Sequence, residues 1–156
     1  MKRACLIVLV VILSLSCDRQ RVFEEFRPIQ GQAWNSNDVL HFNVNINDTT
    51  TAHNVYISVR NTGEYEYSNI YLFITAHSPN DSQVRDTVEI TLADEHGKWL
   101  GRGAASVFTL YHPYRHNIRF PFRGIYQFDL EQAMWIKNMK HISNIGLRIE
   151  KAGKSR

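Results

Sequence analysis

Cys17 is the residue whose setting points most directly to chemistry. It follows Lys2-Arg3, an apolar stretch from Ala4 to Leu15 broken only by Ser14, and the small Ser16, and it precedes the polar run Asp18-Arg19-Gln20-Arg21. A basic start, a short apolar stretch and a small residue before cysteine make a signal peptide of the lipoprotein kind, with Cys17 as the acylated first residue of the mature chain. The apolar stretch is shorter than the roughly 20 residues a spanning helix needs. Cys5 lies in the removed segment, so the mature chain keeps no thiol for a disulfide, a metal or a nucleophilic step. A diacylglyceryl group with an N-acyl chain buries many methylenes, at about 0.8 kcal/mol each, and predicts a permanent hold on the bilayer.

Other reactive residue types lack the spacing that chemistry needs. Of the seven histidines only His112 and His116 lie close together, and Pro113 between them opposes a helix that would bring both to one face. They read as solvated loop residues. The neighbouring carboxylates Asp86 and Glu89, Asp94 and Glu95, and Asp129 and Glu131 have no nucleophile and base arranged beside them. There is no Gly-x-Ser-x-Gly and no phosphate-cradling glycine loop. The chain is therefore expected to be no enzyme, with no cofactor and no metal. Among the aromatic residues, Trp34, Trp99 and Tyr126 are expected in the core. Tyr65, Tyr67, Tyr71 and Tyr114 look exposed and could stack on sugar rings, which makes a surface glycan-binding module the alternative function.

The elements that must position these residues are strands. Apolar residues alternate with period two at Leu40 to Ile46, Val55 to Val59, Ile70 to Ala76, Val84 to Leu92, Tyr126 to Leu130 and Ile145 to Ile149. Turn signals at Asn47-Asp48, Asn61-Thr62-Gly63, Ser78-Pro79-Asn80-Asp81 and Glu95-His96-Gly97 separate the early runs. This predicts an all-β fold, a single β-sandwich of jelly-roll or immunoglobulin-like type with seven to nine strands. One short helix is expected from about Asp129 to Asn138, on the spacing of Leu130, Met134 and Ile136. Tyr111 to Phe122 is interrupted by Pro113 and Pro121 and reads as an edge strand or long loop. The basic and aromatic stretch Tyr111 to Arg123 suits a solvated edge or protein contact, or else phosphates or anionic headgroups. The expected division is a signal peptide over 1–16, a lipidated tether over 17–20, one sandwich domain over 21–150 and a mobile basic tail over 151–156. Loss of Lys2 and Arg3 lowers the formal charge from +3 to +1, which argues against nucleic acid as a partner.

The lipobox cysteine, Trp34, Tyr56 to Asn61 followed by Tyr65-Glu66-Tyr67-Ser68-Asn69-Ile70-Tyr71-Leu72, Leu92-Ala93-Asp94 through Gly97-Lys98-Trp99-Leu100-Gly101, Phe120-Pro121 with Gly124-Ile125-Tyr126-Gln127-Phe128, Glu131-Gln132-Ala133-Met134, and Ile145-Gly146-Leu147-Arg148-Ile149-Glu150 follow one another in this order. Together they resemble the gliding-motility lipoprotein GldH family of the Bacteroidetes. Trp135 stands where the family pattern has Arg, and the glycine expected near His141 is absent. The resemblance implies a non-enzymatic adaptor or structural component tied to type IX secretion. It would be lipid-anchored through Cys17 in the cell envelope, in the outer membrane, and would contact other gliding or secretion proteins. Asp48-Thr49-Thr50 and Asp86-Thr87-Val88 resemble the Asp-Ser/Thr-apolar acceptor pattern of Bacteroidetes O-glycosylation, making Thr49 and Thr87 candidate acceptors.

Overall fold

A computed structural model describes residues 20–104 and 106–153. The period-two runs become strands: β3 (Leu40–Ile46), β4 (His53–Thr62), β5 (Asn69–His77), β6 (Gln83–Thr91), β8 (Val107–Ile118), β9 (Gly124–Gln132) and β11 (Ile142–Lys151). A long first strand, β1 (Arg21–Pro28), and three short ones, β2 (Ala33–Asn35), β7 (Arg102–Ala104) and β10 (Asn138–Lys140), bring the total to eleven among the described residues. That exceeds the expected seven to nine because three-residue strands leave no alternation to read. Every pairing is antiparallel.

The strands form a five-stranded sheet in the order β1-β11-β4-β8-β7, a four-stranded sheet in the order β3-β9-β5-β6, and a small β2-β10 ladder. Both large sheets turn their apolar rows toward one hydrophobic cluster. Val55, Ile57, Val59, Ile145, Leu147 and Ile149 come from the first, and Phe42, Val44, Ile70, Leu72, Ile74 and Leu130 from the second. Outward-facing positions of the same strands are mostly polar, with Phe73 and Ile125 as exceptions on the four-stranded sheet. At one edge Asp86 of β6 joins the sheets: Tyr114 Oη donates to its carboxylate at 2.5 Å and Arg115 at 2.6 Å, both from β8.

The helix expected over Asp129–Asn138 is absent. β9 runs on to Gln132, a bend occupies residues 133–137, and β10 follows. The buried Gln132 side chain staples this bend, accepting from Met134 N at 2.8 Å and donating to Ile136 O at 2.8 Å. Met134 and Ile136 thus face the core from a bend, which mimics helical spacing. Of the two expectations for Tyr111 to Phe122 the edge strand is found over Tyr111 to Ile118: this part of β8 pairs with β4 alone, since β7 reaches only Thr109, and the β4–β8 register shifts between His53 and Tyr56, close to where Pro113 lacks a donor. His141, where the family resemblance leads one to expect glycine, has φ 68° and supplies the left-handed turn into β11 itself.

Gly146 sits on β11 between Phe26 of β1 and Ser58 of β4. A Cβ there would lie 2.8 Å from the Phe26 ring, which lies across the bare backbone with the Arg60 guanidinium 3.9 Å from its centroid. The aromatic ring covers what glycine leaves open in a central strand. Gly146→Val is expected to cost about 1–3 kcal/mol, because Phe26 must leave its place. Gly146→Val with Phe26→Ala should restore part of that loss in thermal melts, whereas an additive loss would show that the ring contact is not the cause.

Candidate functional site

Cys17 lies outside the described residues. Three positions later the backbone O of Gln20 accepts from Lys151 N at 2.8 Å, which ties the entry of β1 to the end of β11. Lys151 is therefore the last strand residue, and Ala152 N also bonds to Ala52 O at 2.8 Å. Thr49 is half-buried in a turn whose Asp48 carboxylate accepts from the backbone and hydroxyl groups of both Thr50 and Thr51. Thr87 is exposed on β6, an edge strand.

The outer face of the four-stranded sheet gathers a polar constellation that chain order conceals. Asp129 on β9 stands opposite His41 of β3 and Thr75 of β5. Its Oδ1 lies 2.6 Å from His41 Nδ1 and accepts from Gln127 Nε2 at 2.8 Å, while Oδ2 lies 3.0 Å from His77 Nε2. Burial pushes the Asp129 carboxyl up, but the hydrogen bonds from His41, Gln127 and His77 outweigh it and hold the group below the usual range. Beside it, Arg85 Nη1 bonds Glu131 at 2.7 Å and Thr75 at 3.0 Å, with its guanidinium 4.6 Å from the Phe73 ring centroid. Period-two alternation could place His41, His77 and Asp129 outward, but only strand register brings them together. No hydroxyl or thiol nucleophile is bonded to either histidine, and among the described residues no group of three His, Cys, Asp or Glu is arranged to hold a metal. The face is a ladder of charged and polar side chains bonded to one another across the four strands of the sheet.

The histidines paired by sequence separate. His112 turns half-buried toward the core, where burial depresses its pKa, while His116 is exposed with its ring 6.2 Å from Tyr56. On the outer face of the five-stranded sheet Glu24 accepts from Arg21 at 2.9 Å, Tyr111 Oη at 3.0 Å and Arg148 at 3.2 Å, and Arg148 also reaches Glu150 at 3.0 Å. These groups are satisfied among themselves and read as scaffold.

The aromatic residues divide differently from the expectation. Trp34 and Tyr126 are buried, Trp99 only half so. Tyr65, expected at the surface, is buried; its hydroxyl donates to Asn69 O at 3.0 Å and lies 3.3 Å from Met139 Sδ. Tyr114 is half-buried with its hydroxyl held by Asp86. Of the four proposed stacking residues only Tyr67 and Tyr71 are exposed, so no four-ring platform exists. Trp135 is fully exposed at the crest of the Gln132-stapled bend. Sequence reasoning singled it out only as a departure from a pattern, and the signal lay in Met134 and Ile136, which flank it and face inward.

At the end where the chain enters, His53 is 1% exposed, packs 5.4 Å from the Phe120 ring and leaves Nδ1 without a hydrogen-bond partner. Burial depresses its pKa from 6.5; nearby Asp48 opposes this and Lys151 adds to it. A depressed folded-state pKa means that the neutral ring contributes stability above the unfolded value of 6.5, lost as pH falls through the folded value. The melting temperature should therefore drop between pH 7 and pH 5, and His53→Phe should flatten that slope, leaving the part due to His112. An unchanged slope in the variant would exclude His53 as its source.

Residues 21–149 match the family model described as GldH lipoprotein. The chain is 30% identical over 152 residues to a gliding motility lipoprotein GldH homolog of Christiangramia forsetii, covering 93% of each chain. It is 27% identical over 156 residues to gliding motility lipoprotein GldH of Flavobacterium johnsoniae, covering 96% of each. A solved structure, dimeric latent PorU from Porphyromonas gingivalis, aligns with 89% of this chain and 14% of that one at a TM-score of 0.33 and 8% identity, too distant a likeness to carry an argument.

Proposed function

Because the chain belongs to the GldH lipoprotein family, we propose that it works as a non-enzymatic adaptor of the gliding-motility machinery linked to type IX secretion, anchored to the outer membrane by acylated Cys17. The observation that carries this reading is the family match, which runs from the first residue of β1 to Ile149 near the end of β11 and so takes in the whole folded unit. Two further features support it. The two sheets share one core cluster, which we read as a single sandwich, a rigid body fit to hold other proteins in place. Its outward features are a charged ladder around Asp129 and an exposed Trp135 on a stapled bend, the kinds of group that anchor protein contacts.

The test is a crosslinking pull-down of the tagged, lipidated protein from solubilised envelopes, with Cys17→Ala as control and partners identified by mass spectrometry. Enrichment of gliding or type IX secretion components is the expected result. Recovery of glycan-bearing lipoproteins alone would instead favour a glycan-binding module.

A further inference from the structure

We propose that the end of the domain at which the chain enters is a membrane-contact surface, where Phe122 and Ile125 settle among the headgroups of the anchoring bilayer and Arg119 and Arg123 meet lipid phosphates. The inference rests on the acylation of Cys17 and adds to it a defined orientation of the folded domain.

Four segments converge at this end. Strand pairing sets Arg21 beside Glu150, Lys151 beside His53, His53 beside Ile118 and Ile46 beside Gly124, so residues 20–22, 47–52, 118–125 and 151–152 lie together. From Cys17 to Gln20 there are three residue steps, which reach at most about 11 Å when fully extended. An acyl anchor at Cys17 therefore keeps this end within reach of the headgroups whatever the tether does.

What the end presents suits such a neighbour. Ile125 is 64% exposed and Phe122 42%, apolar side chains for which the core has no use. The backbone under them is fixed: Phe122 N donates to Tyr126 Oη at 3.1 Å, Phe120 packs 4.8 Å from the Tyr126 ring, and Pro79 abuts Gly124. Phe120 is thus buried while Phe122, two residues on, is held outward. Arg119, Arg123 and Lys151 are exposed at the same end. Arg119 spends one donor on Thr50 O at 3.1 Å, and Arg123 has no carboxylate within bridging distance among the described residues. Among the described acids near this end, Asp48 is occupied by Thr50 and Thr51 and Glu150 by Arg148, which leaves Asp81 at the hairpin tip. Apolar side chains ringed by cations are what an anionic headgroup layer binds, and the leash keeps that layer at high effective concentration. Trp135 lies at the opposite end, beyond Gln132, roughly 30 Å away by strand length, and serves as an internal reference.

The test uses the acylated full-length protein reconstituted in vesicles of phosphatidylcholine with phosphatidylglycerol. Single cysteines introduced as Phe122→Cys, Ile125→Cys or Trp135→Cys carry a nitroxide, and since all three positions are exposed the fold tolerates them. The expected result is that labels at 122 and 125 are more accessible to oxygen than to a water-soluble nickel complex, and the label at 135 the reverse. Labels at 122 and 125 that behave like the one at 135 would overturn the proposal. Arg119→Glu with Arg123→Glu should lose the oxygen preference on the anionic vesicles, and its retention would remove the arginines from the contact. Vesicle flotation is read on the same samples. Protein that fails to float overturns the acylation reading and the contact with it, whereas protein that floats with aqueous labels overturns the contact alone.

Discussion

Truncation of Trp34 to alanine is expected to remove about 3–5 kcal/mol of folding stability, the range for deleting a buried aromatic side chain, out of the 5–15 kcal/mol typical of a domain. Trp34 is 1% exposed and forms the centre of the β2–β10 ladder, opposite Met139. Its indole N–H donates to Asp38 O at 2.9 Å, which closes the loop leading into β3. Met139 in turn meets the Tyr65 hydroxyl, and Tyr65 lies 6.5 Å from Trp99 across a row of rings. A cavity at Trp34 would loosen this plug as a unit, because the two short strands have no other long partner. The expected observation is a large fall in the urea midpoint by circular dichroism. Trp34→Phe should lose far less, about 1 kcal/mol of it from the indole hydrogen bond. If Trp34→Ala melted within 1 kcal/mol of the parent, the ladder would be ornament to the fold rather than a closure of it.

The second large effect concerns the membrane. Cys17→Ala is expected to abolish incorporation of labelled fatty acid and to move the protein out of the sedimented envelope fraction. A diacylglyceryl group with an N-acyl chain on Cys17, as proposed, would supply at about 0.8 kcal/mol per buried methylene a hold that no residual surface contact could replace. Once the proposed signal peptide with Cys5 is removed, no second thiol would be left to take over. The first strand begins at Arg21, four positions after Cys17, so the substitution should leave the melting temperature of the domain unaltered, which separates a failure of anchoring from a failure of folding. Retention of fatty-acid label by the variant would mean that the lipid is attached elsewhere.

The sequence made the long strands legible because burial of one sheet face writes an alternating pattern directly into Leu40–Ile46, Asn69–His77 and Gly124–Gln132. It hid β1, where Glu24 and Glu25 interrupt the apolar residues and Phe26 is spent on covering Gly146, so no alternation is left to read. It misled over Asp129–Asn138, since Leu130, Met134 and Ile136 face the core from a strand and a bend stapled by Gln132, and spacing alone cannot tell this from a helical turn. The resemblance to a family found the right relatives while saying little about surfaces. His41, Asp129 and His77 meet through strand register, which no local pattern records, and Tyr65 looks like a surface residue until Asn69 and Met139 are seen around its hydroxyl.

The hydrogen bond from Lys151 to Gln20 has a practical side. Because β1 opens and β11 closes side by side, a reporter fused after Gly153 would, with Cys17 as the proposed anchor, emerge next to the lipid and wedge between the domain and its bilayer. The Asp94–Lys98 turn, past the opposite end of β6 and exposed from Glu95 to Lys98, offers a docking point for tags a full strand length farther out. A fluorescent or affinity insert placed there should report on the protein's neighbours without lifting it from its seat, whereas the same insert at the other end would become an inhibitor by steric displacement alone.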